Sequence, residues 1–315
     1  MTGMQAAPPR TAPGRLRRAW RSDLAHDFRR SPAAMGAALI LLVFIVSALV
    51  PSLVAPVPVF DLTRINLRDA FLPPAWMEEG SSRFLLGTDG QGRDVLSAIV
   101  YGARVSMLVG VGSVALALLI GVPLGLIAGY RGGRLDALIM RVADVQLTFP
   151  AILVAVILDG VARAALGQTV HERNLVPLLI LSIGLTGWVQ YARTVRGATM
   201  VERQRDYVAA AILVGRGSTA VMLRHILPNV ATPVLVLATI HLAVAIILEA
   251  TLSFVGLGIP PTQPSLGTLV RVGNDYLLSG EWWIAIFPGL ALLLLVLAVN
   301  ILGDWLRDAL NPVLQ

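Results

Sequence analysis

Five stretches of this chain run for 18 residues or more with almost no charge, and that pattern leaves few folds open. They are Met35–Val54, Ser106–Ala128, Leu175–Ala192, Thr232–Gly256 and Trp282–Leu302, and Glu249 is the one carboxylate among them. A helix needs about 20 apolar residues to cross a bilayer core, where every backbone amide must be satisfied within the segment. A sixth candidate begins near Val145, with 14 uncharged residues before Asp159. Extending it to Ala165 completes a span and places Asp159 and Arg163 towards one end. The pattern predicts an all-α integral membrane protein with six transmembrane helices. Composition agrees: 56% of residues are hydrophobic and 14% charged, against about 25% charged in soluble domains. Met35–Val54 follows a long basic leader and exceeds the roughly 7–15 residues of a signal-peptide core, so it reads as a retained span.

Arginine placement orients the spans. With six, residues 1–34, 129–144, 193–231 and 303–315 share one side and carry 17 arginines, while the opposite segments carry 8. The positive-inside rule places the first set, with both termini, in the cytoplasm. The first 13 residues, with Pro8, Pro9 and Pro13, read as a disordered tail.

All 25 basic residues are arginine. Without lysine there is no Walker-type nucleotide site, whose lysine reaches the terminal phosphates, and no Schiff-base chemistry. Zero cysteines exclude disulfides and thiolate chemistry. The net charge of +6 is explained by a membrane rather than by nucleic acid. His26, His171, His225 and His241 lie on separate segments, which argues against a metal site held by this chain.

The informative loop is Asp206–Pro233, DYVAAAILVGRGSTAVMLRHILPNVATP. Asp206 reads as an N-cap, Tyr207–Val214 as two helical turns, and Gly215 as the left-handed residue closing them. Ser218 reads as the cap of a second helix that Pro228 stops. Ala209, Ala210 and Ala211 allow close approach, and Tyr207, Arg216 and Arg224 rim them. A short helix of this kind suits a partner's groove. The alternative is an amphipathic loop lying on lipid headgroups.

Other residues carry weaker signals. Glu249 is an intramembrane carboxylate, a functional candidate by default, and Ser253 shares its helix face. His241, two turns earlier, reads as a packed or pore-adjacent side chain. Asp89, Arg93 and Asp94 sit among turn-forming glycines, and Arg93 pairs with Asp94 or meets a partner. They lack the ligand order of a calcium loop. Trp282 and Trp283 fall where an aromatic interfacial belt is expected.

The loop resembles the EAA loop of permease subunits in binding-protein-dependent ABC importers. Ala209-Ala210-Ala211, Gly215 and Leu227-Pro228 match its spacing, with Ala209 in place of the glutamate and His225 at the hydrophobic position before x-L-P. RHILPN (Arg224–Asn229) has the form of the peptide branch. Leu86–Ser106, Gly129–Asp136, Glu249–Pro261 and Phe287–Pro312 resemble further segments of the dipeptide/oligopeptide/nickel permeases. The long segment after the first span resembles that of the second subunit of their permease pair.

That resemblance implies a type I ABC importer transmembrane-domain fold. It implies a cytoplasmic tail (1–34), a first helix (35–54), an external segment (55–105), a core with five helices and coupling loop 193–231 (106–303), and a C-terminal tail (304–315). It also implies a second permease subunit forming a heterodimer, two ATPase subunits holding ATP and Mg, an extracytoplasmic substrate-binding protein and a bacterial cytoplasmic membrane. This chain would then bind no cofactor and catalyse no reaction. Residues Asp206, Tyr207, Ala209–Ala211, Gly215, Arg216, Arg224, His225, Leu227 and Pro228 would meet the ATPase. Glu249, Ser253 and His241 would serve the pathway or its gate, and Asp89, Arg93 and Asp94 the external face. Two other classes stay open at this point: an ion-coupled secondary transporter, and an intramembrane hydrolase pairing Ser182 or Ser253 with His241.

Overall fold

Ser31 sets the start of the first long helix: its Oγ accepts from the Ala34 amide at 3.3 Å, and Pro32 occupies the first turn, where no amide is needed. The computed structural model describes residues 23–55 and 66–310. The basic tail before Asp23 and residues 311–315 lie outside that range. Helix α1 (Asp23–Arg30) precedes α2 (Pro32–Leu49), and a break at Val50 leads into a single turn, α3 (Pro51–Val54). Then follow α4 (Val95–Arg131), α5 (Gly133–Leu147), α6 (Ala151–Leu166), α7 (Gln168–Arg173) and α8 (Leu175–Glu202). The rest comprises α9 (Asp206–Leu213), α10 (Ser218–Val221), a π-helical turn (Met222–Ile226), α11 (Leu227–Val255), α12 (Leu266–Asn274) and α13 (Trp283–Ala309).

Five of these helices are long and apolar enough to span a membrane, α10 to α11 counting as one. The sixth span is not the straight helix expected from Val145 to Ala165. Those residues fall instead in a pair of helices, α5 and α6, bent by 88°, which makes a sixth span only if the two are taken together. Pro150 explains the break, since proline pushes the preceding Phe149 out of the helical region. The 16 residues of α6 extend only about 24 Å, short of a ~30 Å core. Asp159 on α6 is met by His171 Nε2 at 2.8 Å and by Arg163 at 3.6 Å.

The long helices outlast their apolar runs. α4 begins at Val95 rather than 106, because Asp94 caps it through the Ser97 amide at 2.8 Å. α8 continues to Glu202, where Arg193 pairs with Asp144 and Arg196 with Asp136, both on α5. α13 likewise carries helix through residues assigned to the C-terminal tail. The loop assigned to 193–231 is therefore largely helical.

Close backbone approach holds α4 to α8. A Cβ added at Gly125 would lie 2.5 Å from the Ala192 carbonyl oxygen, and one at Gly129 would lie 2.7 Å from that of Arg196. Gly121 meets Trp188 in the same way. Spacing of four puts these glycines on one face, so the backbones touch where side chains would separate them. A second core joins Val95, Ile246, Leu266, Trp283 and Leu295 from α4, α11, α12 and α13.

Candidate functional site

At the arginine-rich end, α8 stops at Glu202 and three residues turn the chain into α9. Asp206 is the first helical residue and not the cap. Arg205, in an extended conformation, occupies that position without a side-chain bond. The Asp206 carboxylate still lies at the positive end of the helix. The far end follows the sequence reading. Gly215 has φ of 80°, its amide donates to Ile212 at 2.9 Å, and the Arg216 amide donates to Ala211 at 3.1 Å. These paired bonds form a Schellman closure.

Two anchors fix α9. Val208 is fully buried against Val221, Ile226, Val230 and Val195. The Tyr207 hydroxyl donates to Glu202 Oε2 at 2.6 Å and accepts from Asn229 Nδ2 at 3.2 Å. Burial first, and then the Glu202 bond, push that hydroxyl up to about 12. The outward side stays uncovered: Ala209, Ala210, Arg216 and Arg224 are exposed, and Leu213 and Val214 are 87% and 81% exposed. Ala211 and His225 are half-buried.

The second helix departs from expectation. Ser218 is its first residue, with Gly217 at the cap and no side-chain bond. Pro228 does not stop it, and the helix passes into α11. The π turn absorbs the proline: the Leu227 amide reaches back five residues to Met222, and the wider turn admits the ring. Asn229 Nδ2 also donates to the His225 carbonyl at 2.7 Å.

Inside the bundle, Glu249 is fully buried. Ser253 Oγ donates to Oε1 at 2.7 Å, as its shared face implies. Ser106 of α4 donates to Oε2 at 2.7 Å, a partner 143 positions away that periodicity does not reveal. His241 is packed, with Nδ1 3.1 Å from the Tyr191 hydroxyl and its ring against Gly187. Ser182 donates to Leu178 within its own helix at 2.8 Å. Neither serine bonds His241, so the nucleophile–base pair of a hydrolase is not assembled.

At the opposite end Arg93 pairs with Asp89, Nε to Oδ2 at 2.7 Å, and not with Asp94. Its Nη1 donates to the Pro261 carbonyl at 2.9 Å. Asp94 caps α4 instead, because its carboxylate accepts from the Ser97 amide in the first turn. All three are buried, so they shape this end from within and do not present charge to a partner. Burial raises the Asp94 carboxyl above its ordinary range. Trp283 is likewise buried, its indole donating to the Thr88 carbonyl at 3.1 Å, and does not join a lipid-facing belt. Among the described residues no group of three His, Cys, Asp or Glu side chains is placed to hold a metal ion.

This arrangement has relatives. A family model described as a binding-protein-dependent transport system inner membrane component matches residues 121–315. The di/tripeptide transport system permease protein DppC of Pseudomonas aeruginosa is 40% identical over 309 residues, covering 98% of this chain and 95% of that protein. The dipeptide transport system permease protein DppC of Escherichia coli K12 is 40% identical over 291 residues, 92% of each chain. Crystal structures of the MetNI methionine ABC transporter in inward-facing conformations share the fold, with a TM-score of 0.54 and 20% identity. That match covers 68% of this chain and 97% of that one.

Proposed function

The chain belongs to the family of binding-protein-dependent transport system inner membrane components, and from that premise we propose that it is the second permease subunit of an ABC importer for dipeptides. It is a transmembrane component with the type I importer fold. Its partners are a different permease subunit, two ATPase subunits that bind ATP and Mg, and an extracytoplasmic binding protein that delivers cargo. It lies in the bacterial cytoplasmic membrane with both termini inside, in keeping with the arginine distribution. It hydrolyses nothing itself, and the missing lysine agrees with that division of labour.

The observation that carries this reading is the α9 helix: rigidly anchored on one side, uncovered and apolar on the other. Such a helix transmits force only if it does not deform when gripped. Tyr207 ties it to the end of α8 through Glu202 and to the start of α11 through Asn229. Val208 packs into the same junction. When the ATP-loaded subunits close, the displacement of α9 is delivered to both spans together, and the pathway reopens to the outside. Ala209, where the EAA pattern has glutamate, makes that contact apolar.

Reconstitution tests this function. Uptake of dipeptide into vesicles requires the ATPase subunits, the second permease and the binding protein together. Uptake driven by an ion gradient in the isolated chain would replace this reading with a secondary transporter.

A further inference from the structure

Glu249 is the centre of a fully buried hydrogen-bond set that joins three helices and a loop. Its two oxygens accept from Ser106 on α4 and Ser253 on α11, each at 2.7 Å. Each serine oxygen also accepts a backbone amide: Ser106 from Leu266, the first residue of α12, at 3.2 Å, and Ser253 from Ile259 in the loop between α11 and α12, at 3.3 Å. Thr268 Oγ1 donates to the Ile259 carbonyl at 2.8 Å, and Arg93 holds the Pro261 carbonyl at 2.9 Å. Packing tightens the same contact. A Cβ on Gly267 would lie 2.5 Å from the Ala250 backbone, so α12 rests directly on α11.

Both serines spend their single proton on the carboxylate and a lone pair on an amide. A carboxylate offers acceptors on both oxygens. Glutamine replaces one of them with an NH2 donor aimed at a hydroxyl hydrogen, and aspartate is one methylene too short to reach both serines. The set is thus specific for glutamate, and no part of it is open to a transported solute.

We infer that Glu249 is a positioning residue that locks the 257–265 loop and α12 to α11, so that movement of α11 and the state of the outer face are coupled. α11 is then a lever with the α9 junction at one end and this clamp near the other. The inference rests on the permease reading above. It adds a route by which cargo delivered outside changes hydrolysis inside, through this buried bond network rather than through a contact with cargo.

The test uses the assembled complex in proteoliposomes, comparing ATP hydrolysis with and without dipeptide-loaded binding protein. In Glu249→Gln and Ser106→Ala the complex assembles and basal hydrolysis persists, while stimulation by the loaded binding protein falls at least tenfold and uptake falls with it. Ser182→Ala, whose hydroxyl serves only its own helix, keeps full stimulation. Stimulation within twofold of the parent in Ser106→Ala overturns the inference. Proportional loss of basal and stimulated hydrolysis also overturns it, since that marks a role in folding alone. If Glu249→Gln does not insert, Ser106→Ala decides. The permease reading fails only if the parent complex itself shows no uptake dependent on the ATPase subunits and binding protein, so the two failures are distinguishable.

Discussion

Tyr207 donates to Glu202 across the turn that separates α8 from α9, at 2.6 Å. The bond makes the short helix a rigid continuation of a membrane span. Tyr207→Phe removes the hydroxyl and with it the Asn229 contact. A partly exposed hydrogen bond contributes about 0.5–1.5 kcal/mol, so dipeptide uptake falls by roughly two- to tenfold while the complex still assembles. The hydroxyl is pushed from 10.0 to about 12, so its bond is fully present below pH 10 and lost as pH rises through about 12. The uptake–pH profile of Tyr207→Phe therefore parallels that of the parent through the physiological range, and a changed profile there contradicts this role.

Gly215 tests the closure of the same helix. Nothing lies within 4 Å of a Cβ built there, so space is free and only its φ of 80° opposes a side chain. Gly215→Val costs about 1–2 kcal/mol of backbone strain and lowers uptake by roughly five- to thirtyfold without preventing insertion. Gly215→Asn, which tolerates this conformation, retains most uptake. Equal loss in both variants, measured in matched vesicles, would point to a side-chain contact instead.

The α4–α8 seam makes a prediction about stability. Gly125→Val drives its side chain into the Ala192 backbone, and overpacking of this kind costs about 1–3 kcal/mol. The purified protein melts at lower temperature and is recovered in lower yield. Gly160→Ala on α6, where an added Cβ meets nothing within 4 Å, leaves both unchanged.

Arg93 and Asp89 form a pair whose side chains are 6% and 7% exposed. Arg93→Gln strands the carboxylate and destabilises by about 3–5 kcal/mol. Adding Asp89→Asn removes the buried charge and recovers most of that loss, which a thermal-unfolding cycle over the four proteins measures.

The features legible in the sequence are those set by local chemistry. Apolar runs gave the long helices, glycine at a helix end gave the Gly215 closure, and a spacing of four gave the Glu249–Ser253 bond. Helix starts were misplaced by one residue at Asp206 and Ser218, because extended backbone at Arg205 and Gly217 begins those helices without a side-chain cap. Pro228 was expected to stop a helix, and the π turn that accommodates it has no composition of its own. Ser106 opposite Glu249, and Asp89 rather than Asp94 opposite Arg93, depend on how distant segments meet or loops fold. The packing of Gly121, Gly125 and Gly129 against α8 likewise depends on how distant segments meet.

The account depends above all on α9 being gripped by ATPase subunits inside the cell. The chain has no cysteine, so Ala210→Cys introduces a single thiol on the exposed side of that helix. In intact cells it should resist a membrane-impermeant maleimide, and in inside-out vesicles stripped of the ATPase subunits it should react. In the assembled complex a bifunctional maleimide–photoreactive reagent attached there should crosslink to the ATPase subunit. Labelling from outside the cell, or free reactivity without any crosslink in the assembled complex, would contradict the account.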